Sequence, residues 1–454
     1  MLVGFRLPLA ASLLALAASV THASPLEHRV LRPRAVPPLP STDSFYAVPD
    51  GLAAVAPGTI LNHRPPPNPI ALFGTTVLDL QAAYQILYRT TDSLQAATAT
   101  VLTVLVPPHA DFSKILSYQV AEDSAYVNCG PSYAWQQSHS QGPENGTLIT
   151  ELELLLVQGA LDQGWVVIAP DFLGPNAAFL ANGLAGHATL DGIRAAINSA
   201  SFTGIRPNPT ISMWGYSGGA QATLWAAELQ PSYAAELNIA GAAAGGPAPN
   251  LANVIAQANG KASAGLIAAG FAGLSNQYPE VLPVLDQHLL PQNRSEFEKV
   301  RSQCYLADGQ DFTNKNVLSM FDDPTLPFTN ALLSSLLTEN GPGQQTPHIP
   351  LFIYKAVHDE ISPVADTDGL VAKYCHAGVG VTYEKDSSSD HSELAINGAP
   401  RALSWLISVM NGHPPAAGCT TTTVLSSLLD PGALLVLSQT IIDALRGFLG
   451  TLIR

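Results

Sequence analysis

Charge is scarce in this chain: only 12% of its 454 residues are Asp, Glu, Lys or Arg, about half the share usual in soluble proteins. Lys and Arg together number 20 against 35 Asp and Glu, giving a formal net charge of −15. Nucleic-acid binding needs clustered Lys and Arg to neutralise phosphates. The nearest approach to a cluster is Arg32 to Arg34 in a Pro-rich stretch, so no nucleic-acid partner is expected. There is no H-E-x-x-H, no paired C-x-x-C and no P-loop, which leaves a metal or nucleotide cofactor without a recognisable binding set. Beyond the N-terminus no stretch holds the ~20 uninterrupted apolar residues that span a bilayer, so no transmembrane segment is expected. Cysteine is rare too: four residues, whose three possible pairings sequence alone leaves open.

What is present is apolar bulk, 47% of residues, enough for a large core with polar duty left to Ser, Thr, Asn and Gln. Residues 1–23 have the layout of a signal peptide: Arg6, an apolar run from Leu7 to Val20, and a small-residue cleavage site at Thr21-His22-Ala23. A secreted, extracellular and monomeric protein is expected, in a compartment where cysteines form disulfides. Asn145-Gly-Thr147 and Asn293-Arg-Ser295 are glycosylation sequons. Residues 24–45 read as an extended arm or short pro-segment.

From there the chain alternates between strand-like and helix-like stretches, the pattern of an α/β fold. Ala83 to Thr90 and Ala97 to Val106 suggest a β-hairpin, followed by a strand at Ile115 to Val120. Leu148 to Gly164 has helical spacing, and Trp165 to Ala169 is a fully apolar strand of the kind buried in a parallel sheet. A helix over Thr189 to Ala200, strands at Thr210 to Trp214 and Leu237 to Ala242, and further strands at Pro350 to Lys355 and Val379 to Glu384 continue the rhythm. It is interrupted between residues 250 and 345, where Ala/Leu/Gly-rich helical segments occur without a strand. This block reads as a helical cap inserted between two core parts, 46–249 and 346–419. Residues 420–454 form an amphipathic tail, with Ile441, Ile442, Leu445, Phe448, Leu449 and Leu452 on one helical stripe. Packing against the body and a lipid-facing flap are both open to that tail.

Gly215-Tyr-Ser-Gly-Gly219 lies between the strand ending near Trp214 and a helix from Ala220 to Leu229. This is the G-x-S-x-G pattern in the strand–turn–helix setting of a nucleophile elbow. The reversal forces the serine into a strained conformation and brings strand and helix so close that only residues without a Cβ fit beside it. Ser217 is therefore the candidate nucleophile. A serine hydroxyl needs a histidine to take its proton and a carboxylate to orient that histidine. In the order Ser, Asp/Glu, His, the acid belongs after a late strand and the base after the next. Asp359 and His391 occupy those slots, with Glu360 as a rival acid and His358 and His376 as rival histidines. An oxyanion needs backbone donors: the Gly218 N–H is one, and the loop Glu122-Asp123-Ser124 is placed to supply another.

Taken together, Tyr88-Arg-Thr-Thr-Asp92, Ser117-Tyr-Gln-Val-Ala-Glu-Asp-Ser124, Gly164-Trp-Val-Val-Ile-Ala-Pro-Asp171, Gly215-Tyr-Ser-Gly-Gly219 and His358-Asp-Glu-Ile-Ser-Pro363 resemble the fungal secretory lipase family, of the Candida antarctica lipase A type, from about Pro57 to Cys419. The resemblance implies an α/β-hydrolase fold, a mostly parallel sheet with helices on both faces, and a helical cap. It also implies a serine hydrolase that needs no cofactor and acts on triacylglycerols or other esters at an oil–water interface. Ser217, Asp359 and His391 would be the triad, and Asp123 and Gly218 the oxyanion donors. The disulfides it implies are Cys129–Cys304 and Cys375–Cys419. Ser387-Ser-Ser-Asp390 stands before His391 where a glycine is expected beside the histidine. A short-chain carboxylesterase or acyltransferase is the alternative function, and a catalytically silent binding protein on the same body a more distant one.

Overall fold

The computed structural model describes residues 35–139, 147–429, 436, 437 and 441. The expected signal peptide, residues 24–34 of the arm, Asn145, and Ile442, Leu445, Phe448, Leu449 and Leu452 of the tail lie outside the described residues.

Ten strands form one sheet. In chain order they are β1 (Ile60–Arg64), β2 (Ala82–Thr91), β3 (Ala97–Val106), β4 (Asp111–Gln119), β5 (Trp165–Pro170), β6 (Thr210–Tyr216), β7 (Ile239–Gly245), β8 (Leu351–Ala356), β9 (Val381–Asp386) and β10 (Cys419–Val424). Their spatial order is β1-β2-β3-β5-β4-β6-β7-β8-β9-β10. The pairings β1/β2, β2/β3 and β3/β5 are antiparallel and all the others parallel. The hairpin β2–β3 is closed by Asp92, whose carboxylate accepts from the N–H groups of Leu94 and Ala96 at 2.8 Å each, the side-chain turn typical of aspartate. Strands β5 and β8 are buried at every residue, as expected where helices cover both faces.

Those helices are α1 (Leu148–Leu161), α2 (Asn182–Asn198) and α3 (Gly218–Tyr233). After β7 come α4 (Leu251–Ala258), α5 (Gly265–Gln277), α6 (Val281–His288), α7 (Tyr305–Phe312) and α8 (Ala331–Glu339). After β8 come α9 (Val364–His376), α10 (His391–Asn397) and α11 (Ala399–Met410). One sheet face packs on α2, α3 and α9 through Leu190, Ile193, Leu224, Leu370 and Tyr374. The other packs on α1 and α11 through Leu154, Val157, Leu403 and Leu406. In α11 the buried positions 399, 400, 402, 403, 406, 409 and 410 follow helical spacing, and each Leu or Val so buried contributes about 1.5–3 kcal/mol. Helices α4 to α8 share a separate apolar cluster with Phe172 and Phe179 from the β5–α2 connection and Leu184 from the first turn of α2. Among the described residues no helix is long and apolar enough to cross a membrane.

Several boundaries differ from the sequence reading by a few residues, and three of the differences bear on the fold or the site. The sheet does not end with β9: Cys419–Val424 adds a parallel edge strand, so residues 420–424 belong to the sheet and not to an amphipathic tail. Its Thr420 to Thr423 are exposed, so no alternation of apolar and polar residues announces it. Helix α2 starts at Asn182, not Thr189, because Leu184, Ala185 and Ala188 are buried where glycines obscure the period. Strand β6 runs on to Tyr216, since pairing with β7 extends to Tyr216–Gly245.

Candidate active site

Ser217 stands alone between β6 and α3 with φ 52° and ψ −119°, a conformation that costs a non-glycine residue on the order of 1–3 kcal/mol. Its N–H donates to the Gly245 carbonyl at 2.8 Å, which holds the turn against neighbouring β7. A Cβ on Gly219 would lie 1.9 Å from the Gln119 carbonyl oxygen, and one on Gly215 2.2 Å from the Gly219 oxygen. The two glycines thus serve close backbone approach. Gly218 opens α3, so its N–H has no acceptor within the helix.

His391 Nε2 lies 2.9 Å from Ser217 Oγ. Its Nδ1 lies 2.7 Å from Asp359 Oδ2. His391 is 5% exposed, and its ring packs 5.3 Å, centroid to centroid, from Tyr216, whose hydroxyl donates to the His391 carbonyl at 2.5 Å. His391 is the first residue of α10, and Asp390 is its N-cap. Asp390 Oδ1 accepts from Glu393 N at 2.8 Å and Glu393 Oε2 accepts from Asp390 N at 3.1 Å, a reciprocal capping box. The preceding serines are held by Asp386, whose Oδ1 accepts from Ser388 N and Ser389 N at 2.9 Å each. A cap and a side-chain turn therefore orient the segment that has no glycine beside the histidine.

Asp359 follows β8. Its Oδ1 accepts from Ile361 N at 2.9 Å and Ser362 N at 2.8 Å, and its Oδ2 also meets Lys355 Nζ at 2.8 Å. Burial pushes the Asp359 carboxyl up, but the charge and hydrogen bond of His391, then those of Lys355, outweigh it and hold the group well below the usual carboxylate range. The rival groups lie elsewhere. Glu360 accepts from the His391 backbone N–H at 2.9 Å and so supports the loop, not the ring. His358 is exposed, and His376 is exposed at the far end of α9, beside Cys375 and the start of β10.

The loop after β4 carries Asp123 at φ 44°, another strained non-glycine residue at this site. Its backbone N–H makes no hydrogen bond among the described residues. Its carboxyl leans on Gly218, where a Cβ would sit 1.9 Å from Asp123 Oδ1. Burial pushes that carboxyl up to about 6 against the lowering charge of His391. The loop is anchored on both sides: Ala121 N donates to Glu153 Oε1 at 3.0 Å, and Ser124 Oγ donates to the Gln303 carbonyl at 3.2 Å. The disulfide Cys129–Cys304 ties the same region to the start of α7, and Cys375–Cys419 ties α9 to β10. Asn293 is half-buried, with its Nδ2 donating to the Met320 carbonyl at 3.1 Å. Among the described residues no group of three or more His, Cys, Asp or Glu could hold a metal ion.

Sequence reasoning passed over Lys355 and the backbone-holding role of Glu360. Lys355 had a signal: it is the one charged residue in the apolar strand Leu351-Phe-Ile-Tyr-Lys-Ala356.

The family described as "Secretory lipase" matches residues 139–418. Lipase A of Arthroderma benhamiae is 45% identical over 434 residues, 95% of this chain and 92% of that protein. Lipase 5 of Candida albicans is 37% identical over 393 residues, 84% of this chain and 83% of its own. Among solved structures, Candida antarctica lipase A matches with a TM-score of 0.82 at 30% identity, over 91% of this chain and 96% of its own. A rice cell wall degrading esterase from Xanthomonas oryzae, at 16% identity and a TM-score of 0.56, shares the fold.

Proposed function

Since the chain belongs to the secretory lipase family and is a carboxylic ester hydrolase of lipase type, we propose that Ser217, His391 and Asp359 are its catalytic triad and that secreted enzyme cleaves triacylglycerols and related esters. The observation that carries this is the relay of 2.9 Å from Ser217 Oγ to His391 Nε2 and 2.7 Å from His391 Nδ1 to Asp359. Ser217 Oγ attacks the ester carbonyl carbon as its proton passes to His391 Nε2. The carbonyl oxygen becomes an oxyanion held by the N–H groups of Gly218 and Asp123. The imidazolium returns the proton to the departing alcohol oxygen, leaving an acyl group on Ser217. A water, deprotonated by His391, then attacks the acyl carbon and releases the fatty acid.

Residues 250–345 act in this reading as a cap that receives the acyl chain. Its apolar interior around Ile267, Phe271 and Leu336 and its exposed Leu282 and Phe328 support a lipid-facing surface. Residues 1–23 direct secretion, and Asn145 and Asn293 are glycosylated.

The test is hydrolysis of esters from acetate to oleate, and of emulsified triolein, by wild type and Ser217→Ala. Turnover of oleate and triolein that vanishes in the variant supports the reading. Activity confined to short soluble esters would make the protein a carboxylesterase and remove the acyl-binding cap. Wild-type activity in Ser217→Ala would sink the triad.

A further inference from the structure

Strand β8 is buried throughout, yet its fifth residue is a lysine whose side chain is 0% exposed. Lys355 Nζ reaches two acceptors. One is Asp359 Oδ2 at 2.8 Å, the same oxygen that His391 Nδ1 meets at 2.7 Å. The other is the Pro247 carbonyl at 2.8 Å, in the turn that leads from β7 towards α4. Ser362 Oγ and Thr367 Oγ1 also donate to Pro247, at 3.3 and 3.4 Å. The ammonium therefore joins three things: the acid, the base that shares the acid's oxygen, and the turn between β7 and α4. An apolar side chain of similar volume would fill the same space without the desolvation penalty of a buried ion, and such replacements are often neutral or stabilising. A role in packing alone leaves the charge unexplained.

We propose that Lys355 is a positioning residue of the triad, which fixes the Asp359 oxygen used by His391 and whose charge opposes that of an imidazolium beside it. This rests on the triad reading above. The sign follows from the charges around His391. Asp359 and Glu360 meet it from the loop after β8 and Asp123 from the oxyanion loop, Tyr216 packs on it from β6, and Asp390 and Glu393 lie at the N-cap and first turn of its own helix. All these carboxylates favour the imidazolium when ionised. Lys355, itself faced by Asp359, Glu360 and Asp366, is the only cation in this group and opposes protonation. A charge at this distance shifts a neighbour by about one to three pH units. Removing it should move the acid limb of activity upward.

The experiment compares wild type with Lys355→Met, Lys355→Gln and Lys355→Arg. The readouts are kcat/KM for a soluble short-chain ester from pH 4 to 9, and the rate of fluorophosphonate labelling with the adduct located by mass spectrometry. The Met and Gln variants should raise the acid-limb midpoint by about one unit or more, so that at the wild-type midpoint they react about fivefold more slowly or worse. The Arg variant, which keeps the charge, should retain the wild-type midpoint. Gln keeps a hydrogen-bond donor, so it separates charge from packing if Met folds poorly. A uniform loss of rate with an unmoved midpoint in Met and Gln would overturn the proposal, as would a midpoint shift in Arg equal to theirs. If wild type forms no adduct on Ser217, the triad reading fails instead.

Discussion

Replacing Asp359 by Asn should separate two consequences of a single buried carboxylate. The group accepts four hydrogen bonds, from Ile361 N, Ser362 N, His391 Nδ1 and Lys355 Nζ. An asparagine can keep its oxygen on the two backbone donors, but its NH2 then confronts His391 and Lys355, both donors. The imidazole can respond by adopting the tautomer whose Nδ1 accepts, which leaves a proton on Nε2 where the Ser217 proton should go. The equivalent change in serine-protease triads lowers kcat by about 10⁴, and the same loss is expected here. Lys355, meanwhile, is left buried without its counter-ion, and breaking a buried pair in this way costs about 3–5 kcal/mol. The double variant Asp359→Asn/Lys355→Met removes the stranded charge. It should regain most of the stability while staying inactive, a coupling readable in a double-mutant cycle. The assays are kcat for a soluble ester at pH 8 and the midpoint of denaturant unfolding. Activity of Asp359→Asn within tenfold of wild type would refute the tautomer argument. An unfolding midpoint that Lys355→Met does not restore would refute the charge argument.

Stability should fall as pH rises from about 6.5 to 8.5. Burial pushes the carboxyls of Asp171 to about 7 and of Glu153 and Asp308 to about 8, above the unfolded value near 4. Groups raised in this way contribute stability that is complete below the unfolded value and is lost as pH passes through the folded one, at about 1.4 kcal/mol per proton per pH unit. His187, lowered by burial to about 4, acts in the opposite sense only below its unfolded value near 6.5, so the test window avoids it. An unfolding midpoint that rises across that window would contradict these carboxyl shifts. Gly219→Ala should leave little folded or active protein, because its Cβ would meet the Gln119 carbonyl at 1.9 Å, a backbone atom of β4 that cannot swing aside. Near-wild-type expression and activity of that variant would show that the elbow can open.

The elbow was legible in the sequence because its demands are local. A strand, a serine forced to positive φ, and glycines on either side of it are requirements of adjacent residues, and they are written in adjacent letters. The strands Trp165–Ala169 and Pro350–Lys355 were legible for the same reason, as was the absence of a sheet strand from the block that begins at residue 250. The chain order of Ser217, Asp359 and His391 also stood in the sequence. Their distances did not, nor did the choice between Asp359 and Glu360. Those two carboxylates are neighbours in the chain, and only the turn closed by Ile361 N and Ser362 N sends one to the imidazole ring while the other takes the His391 backbone N–H. The β10 edge was hidden because Thr420 to Thr423 lie exposed and join the sheet through backbone pairing with β9, which leaves no apolar pattern. Lys355 stood out as a lone charge in an apolar strand, but its role was hidden for a related reason: its partners, Asp359 and Pro247, come from separate turns that meet only when β7 and β8 pair. Conformational demands on one residue can be read from its neighbours, whereas the partner of a buried charge is decided by which distant segments the sheet brings side by side.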